Sequence, residues 1–151
     1  MAKEKLYLED LHVGQRFMSG IYEMTEQRMK EFAAEFDPQP FHLDEEAAQR
    51  SVFKGLAASG WHTAAATMKL LVEGELALAE GIAGVGGEIN WPRPTRAGDV
   101  LQVASEVVEI VPSKSKPQQG FAKIRNTTMN QHGEVVQVLT ASILVFRRDK
   151  V

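Results

Sequence analysis

The sequence predicts a single α+β domain in which an antiparallel sheet packs on one long, buried helix. Residues 59–74 are apolar on more than one helical face, which is typical of a helix covered by protein. From residue 82 onward the pattern changes to segments rich in β-branched residues, separated by Pro- and Gly-rich loops. With 151 residues, the chain has the length of one domain and can bury a sizeable core.

The N-terminal half is expected to form one strand followed by two helices. Residues 16–24 indicate the strand, and Thr25 is a suitable cap for the first helix. An apolar stripe at helical spacing follows, formed by Met29, Phe32, Ala33 and Phe36. Pro38 should stop this helix, so that Asp37 lies at or just past its end. Asp44 can then cap a second, short helix.

The predicted central helix leads into four strands. The helix carries a stripe at helical spacing, formed by Trp61, Ala65, Met68 and Val72. The four strands are expected near residues 82–91, 100–111, 121–130 and 134–148. Glycines in the first of them suggest a bulge or the close approach of a neighbour, and Gln131, His132 and Gly133 indicate a hairpin turn between the last two. Such a sheet leaves edges and a far face open, which oligomerisation usually covers.

The composition excludes several kinds of protein. The formal net charge of -3 leaves no basic surface, which argues against a nucleic-acid partner. The absence of cysteine excludes disulfides, thiolate metal sites and a cysteine nucleophile. No apolar run has the length of a signal peptide core or a membrane span, so we expect a cytoplasmic protein without membrane association.

Asp37 and His42 are the first candidates for chemistry, in the stretch "EFDPQPFHLDEEAA". Pro38 and Pro40 stand between them and are expected to hold residues 37–42 extended and stiff. A carboxylate beside an imidazole is a general acid/base pair. The alternative is structural, with Asp37 capping local backbone and His42 packed in the core, and spacing alone favours it.

A second candidate is the stretch "GLAASG", residues 55–60, directly before the buried helix. A glycine at a helix start leaves a free backbone N–H that points outward and is aided by the helix dipole. Such a group is suited to an oxyanion hole, with Gly60 as the donor. The alternative is an ordinary start of a helix through Ser59 or Gly60.

Three stretches together, "FDPQPFHLDEEAA", "GLAASGWHTAA" and "WPRPTRAGDVL", resemble the MaoC-like dehydratases. This group of hot-dog-fold proteins includes the (R)-specific enoyl-CoA hydratases. The resemblance extends from about residue 10 to 147 and implies one hot-dog domain over residues 1–151, with the sheet wrapped around the central helix. Its specific part is Asp37 and His42, four residues between them, with a proline two residues before the histidine.

The resemblance implies reversible addition of water to a trans-2-enoyl thioester, which gives an (R)-3-hydroxyacyl thioester. Asp37 and His42 would hold one water between them, and the Gly60 N–H would hold the thioester oxygen. The thioester is the electron sink, so that no metal or redox cofactor is implied. Candidate substrate-binding residues are Gln39, Trp61 and His62. The implied partners are an acyl-CoA or acyl carrier protein thioester and a second copy of the chain, in a homodimer or a multiple of dimers.

Other residues have weaker claims. His12, His62 and His132 lack metal-ligand spacing, and the glycines at 84–87 lack the context of a phosphate loop. Coenzyme A phosphates could meet basic residues, although surface charge is the default for Lys54, Arg93 and Arg96. Two tryptophans could border an acyl tunnel, although core packing is the default for Trp61 and Trp91. The rival functions are a thioesterase on the same fold and a non-catalytic acyl-thioester-binding protein.

Overall fold

The computed structural model describes residues 4–148 and contains five strands and four α-helices. The strands are β1 (Arg16–Met24), β2 (Ala83–Asn90), β3 (Asp99–Pro112), β4 (Gln119–Met129) and β5 (Val135–Phe146). The helices are α1 (Glu26–Phe36), α2 (Pro40–Leu43), α3 (Glu45–Gln49) and α4 (Gly60–Glu73), and a 3-10 turn spans Leu8–Asp10.

The five strands form one antiparallel sheet in the order β1-β3-β4-β5-β2. The predicted bulge lies in β2, where the pairing with β5 shifts between Gly84 and Gly86. The predicted hairpin turn joins β4 to β5, and Gly133 adopts a φ of +75° there, which glycine tolerates best. The expected α+β architecture, with one sheet and one long helix, is confirmed.

The core lies between α4 and one face of the sheet. The helix packs against β1 and β3, and its side chains also reach β4 and β5 through hydrogen bonds. Fully buried apolar side chains on the strands complete this core: Leu101, Val103, Val107, Ala122, Ile124, Val136 and Val145.

The expectation that α4 is buried on most sides is wrong for the single chain. The buried face consists of His62, Thr63, Ala66, Thr67, Leu70 and Leu71. The other stripe is exposed, and it consists of Trp61, Ala65, Met68 and Val72. The buried face packs on the sheet, and β2 ends the sheet as an exposed edge strand. Phe36, the last residue of the apolar stripe on α1, is 64% exposed.

The segment before α4 is shaped by caps and prolines. Both predicted caps are present, since the Thr25 side chain accepts from the Arg28 amide and the Asp44 side chain from the Ala47 amide. Asp37 is the C-terminal cap of α1, as Pro38 predicted. The prediction of an extended segment over residues 37–42 is wrong. Pro40 instead begins α2, because its fixed φ suits the first position of a helix.

Within residues 4–148, no helix combines the length and the apolar character that a membrane span requires.

Candidate active site

Asp37 and His42 are in direct contact at the end of α1 and in α2. The His42 Nε2 atom lies 3.1 Å from Asp37 Oδ2, and the two side chains are 5% and 15% exposed. This separation is within hydrogen-bonding distance, so the two side chains are directly paired. The pair is therefore desolvated, yet one edge of the carboxylate remains accessible.

The contacts of His42 define where its protons are. The Nδ1 atom lies 2.7 Å from the carbonyl oxygen of Ala57, and because a carbonyl only accepts, Nδ1 must carry a proton. The Nε2 atom faces a carboxylate oxygen, which also accepts when ionised. The Nδ1 proton is thus directed at the Ala57 carbonyl, and Nε2 is the nitrogen that faces Asp37. Phe41 fixes the ring from the side, at 4.7 Å between centroids and an interplanar angle of 86°.

Asp37 is held in its ionised form. Burial alone would raise the pKa of this carboxyl, but hydrogen bonds from Ser59 and Gln39 and the charge of His42 outweigh burial and keep the pKa below its ordinary value. Ser59 Oγ donates to Oδ2 at 2.7 Å, and Gln39 Nε2 donates to Oδ1 at 2.5 Å. The carboxylate thus lies directly beside the Nε2 atom of His42.

Ser59 was missed as a site residue in the sequence. It is fully buried, caps α4 by accepting from the Trp61 amide at 3.2 Å, and donates to Asp37. Its position directly before Gly60 marks it as a helix cap. The bond to Asp37 had no local signal, because the two residues are 22 positions apart in the chain.

Gly60 occupies the first position of α4. Its amide N–H has no hydrogen-bond acceptor in the part of the chain that the structure describes, whereas the next amide, that of Trp61, is occupied by Ser59. Helix geometry leaves the first N–H groups without intrahelical partners, and the helix dipole favours negative charge there. The Gly60 N–H is thus available to an anionic oxygen.

A cavity of about 310 Å³ connects these groups. Its lining includes Asp37, His42, Gly60, Gln39 and Trp61, five of the six residues that we had selected from the sequence. The rest of the lining is largely aromatic and proline-rich, formed by Phe41, Phe53, Trp91, Pro92 and Pro94, together with Ala58, Thr63, Arg93 and Thr95. An apolar pocket with a few convergent polar groups is typical of a small-molecule site.

His62, the sixth selected residue, lies outside this lining. Its ring stacks on Phe32 at 4.6 Å between centroids, and its Nε2 is 3.2 Å from the hydroxyl of Tyr22. Burial, with a smaller effect from the charge of Arg28, lowers the pKa of His62 to about 4. His62 is therefore a neutral residue packed between α4, α1 and β1 at pH 7.

The basic residues near the cavity are engaged with the protein. Arg96 donates to the carbonyls of Gly55, Leu56 and Phe53 and so fastens the loop before α4. Arg93 forms an ion pair with Glu134 at 3.4 Å. The surface-charge interpretation of Arg96 is therefore wrong, because its guanidinium donates hydrogen bonds to three backbone carbonyls of that loop. No group of three or more His, Asp or Glu side chains within residues 4–148 is arranged to hold a metal ion.

Residues 12–131 match the family model described as a MaoC-like domain. The chain belongs to this family. It is 57% identical to a MaoC-like dehydratase from Rhodospirillum rubrum whose crystal structure is known, with a TM-score of 0.94 over 96% of this chain and 99% of that one. MaoC-like proteins share the hot-dog fold, and the sheet around α4 has that architecture.

Two further relatives of the MaoC-like chain carry names that specify a reaction. A 3-hydroxybutyryl-CoA dehydratase from Methylorubrum extorquens is 32% identical over 120 residues, which cover 74% of this chain and 69% of that protein. The structure of the R-hydratase PhaJ1 from Pseudomonas aeruginosa is 27% identical, with a TM-score of 0.74 over 95% and 88% of the two chains. Both names denote a hydratase or a dehydratase.

Proposed function

We propose that this chain adds water reversibly to a trans-2-enoyl thioester and forms an (R)-3-hydroxyacyl thioester. The observation that carries the proposal is the Asp37–His42 contact in a cavity that also holds the unoccupied Gly60 N–H. The similarity to a 3-hydroxybutyryl-CoA dehydratase and to an R-hydratase supports the same reaction. The acyl group is carried by coenzyme A or by an acyl carrier protein.

In the hydration direction, Asp37 acts as the base and protonated His42 as the acid. The Asp37 carboxylate accepts a proton from water as the water oxygen bonds to Cβ, and the His42 imidazolium donates its Nε2 proton to Cα. The Gly60 N–H binds the thioester oxygen while enolate charge develops on it. The direct contact of 3.1 Å then lets the proton pass from Asp37 to His42, which restores the starting charges. The thioester serves as the electron sink throughout.

Incubation with crotonyl-CoA tests the proposal. We expect loss of the enoyl absorbance without release of free thiol, and a product that an (R)-specific 3-hydroxyacyl-CoA dehydrogenase oxidises. Release of free thiol would instead support a thioesterase, and binding without turnover would support a non-catalytic acyl-thioester-binding protein. The matched controls are Asp37→Asn, which keeps the size of the side chain and removes its basic carboxylate, and His42→Asn, which removes the imidazole.

We further propose that the active form is a homodimer or a multiple of dimers. The exposed stripe on α4 includes Trp61, Met68 and Val72, which are 60%, 41% and 61% exposed, and the edge strand β2 adds Val85 at 60%. A single domain rarely exposes a helix face and a sheet edge of this kind together. Light scattering should give at least twice the monomer mass of 16.7 kDa, and a mass near the monomer at micromolar concentration would refute the assembly.

A further inference from the structure

We infer that Gln137, which does not line the cavity, is a positioning residue that fixes Trp91 as the cavity wall against Gly60; the inference rests on the proposed function. Gln137 lies in β5 and is fully buried, whereas Trp91 follows β2 and is 40% exposed. The two are joined by one hydrogen bond, from Trp91 Nε1 to Gln137 Oε1, at 2.9 Å.

The orientation of the Gln137 amide is determined by its neighbours. An indole N–H only donates, so the atom of Gln137 that faces Trp91 must be the carbonyl oxygen. The amide nitrogen then points to Thr67 on α4 and donates to its hydroxyl at 2.9 Å. Thr67 in turn is 2.7 Å from the hydroxyl of Thr128 on β4. Gln137 is thus held by the buried Thr67 hydroxyl, which Thr128 holds in turn, and it presents a fixed acceptor to the tryptophan.

Trp91 is 40% exposed, so packing alone restrains the orientation of its ring only in part. Its other ring contact in the structure is Trp61, edge-on at 5.3 Å between centroids, and Trp61 is itself 60% exposed. A ring contact of this kind is worth less than the penalty for leaving a buried amide oxygen unpaired. The bond to buried Gln137 therefore decides the ring orientation, because turning the indole would leave a buried amide oxygen unpaired.

The position of the Trp91 ring matters because it lies directly over Gly60. A Cβ added to Gly60 would fall 2.6, 2.8 and 2.9 Å from three ring atoms, Cε2, Cζ2 and Cδ2. The ring therefore covers the Cα of the residue whose N–H we assign to the thioester oxygen. A wall at this distance limits where the thioester can lie and excludes water beside the developing charge, which strengthens the hydrogen bond there.

The first test measures the hydrogen bond between Trp91 and Gln137 directly and needs no substrate. The chain has two tryptophans, so Trp61→Phe assigns the Trp91 indole N–H in a proton–nitrogen NMR spectrum. We expect Gln137→Met to speed solvent exchange of the Trp91 indole proton by roughly tenfold or more, since its acceptor is lost. The matched control is Ser105→Ala, which breaks another buried bond in the sheet, to Asn126, and should leave this exchange unchanged. Unchanged exchange in Gln137→Met would overturn the inference.

The second test is a double-mutant cycle in the crotonyl-CoA assay. Gln137→Met and Trp91→Phe should each lower kcat/KM by roughly 10- to 100-fold, as expected for a misplaced wall. In the Trp91→Phe background, which lacks the indole donor, Gln137→Met should cause no further loss beyond about twofold. A full additional loss would mean that Gln137 acts by another route. A wild-type chain without hydratase activity would refute the proposed function, while indole exchange would still decide the positioning role.

Discussion

The role of the Gly60 N–H can be isolated by comparing Gly60→Pro with Gly60→Ala. Proline removes the N–H, whereas alanine keeps it, and both add a Cβ. The backbone accepts proline, because Gly60 is the first residue of α4 and is not among the positive-φ glycines. The preceding residue, Ser59, has φ and ψ of -57° and 136°, in the extended region that a following proline requires.

The added Cβ makes proline alone an inadequate test. It would lie 2.6 Å from Trp91 Cε2 in either variant, so the indole must shift in both. The damage from that shift is common to the two variants and cancels in their ratio. What remains is the loss of one oxyanion donor, and kcat of Gly60→Ala should exceed kcat of Gly60→Pro by roughly 10²–10³-fold. KM should differ much less between the two variants, because the interaction belongs to the transition state.

The assay is steady-state hydration of crotonyl-CoA, with the thermal midpoint of each variant measured in parallel. Repeating the comparison in a Trp91→Val background relieves the collision with the indole and should preserve the ratio. If both variants fold and their kcat values agree within a few-fold, the oxyanion donor lies elsewhere. The Trp61 N–H is then a poor substitute, since Ser59 already accepts from it.

Three further predictions concern the side chains around the pair. Asp37→Asn and His42→Asn should each lower kcat by about 10²–10⁴-fold with little change in Tm, and near-wild-type turnover would remove that residue from the mechanism. Ser59→Ala removes a hydrogen bond that lowers the Asp37 pKa, so the acidic limb of the kcat/KM profile should move to higher pH. An unmoved limb would show that Ser59 does not tune the carboxylate. His62 has a pKa of about 4 in the folded chain against an ordinary 6.5, so wild-type stability should fall by about 3 kcal/mol as pH drops from 6.5 to 4. His62→Phe should lack this loss, and urea unfolding curves with the same pH dependence for both proteins would contradict it.

Local signals in the sequence were sufficient for the elements that carry the site. Pro38 placed Asp37 at the end of α1, and Thr25 and Asp44 were correctly identified as caps, because capping depends on residues within one helical turn. The glycines of β2 indicated its bulge for a similar reason. Asp37, His42 and Gly60 were also selected from the sequence, and the structure brings them to one cavity.

Contacts between distant residues had no local signal. The bond from Ser59 to Asp37 and the contact of Trp91 with Gly60 depend on how α1, α4 and the loop after β2 converge. The spacing of apolar residues also could not show which face of α4 packs on the sheet. It shows which positions are apolar, but not which part of the protein covers them. Trp61 fits the apolar pattern of the helix and yet is 60% exposed in the single chain.

The two prolines between Asp37 and His42 do not act by holding the segment stiff and extended. An extended segment would place the Cα atoms of these residues roughly 17 Å apart, at about 3.3–3.6 Å per residue. The observed contact of 3.1 Å between their side chains is incompatible with that distance. Pro38 ends α1, and Pro40 then begins α2, in which the His42 amide bonds back to Gln39 and the Asp44 amide to Pro40. This turn reverses the chain and returns the imidazole to the carboxylate. Ala57 then anchors the far side of the ring, so that the single remaining nitrogen faces Asp37.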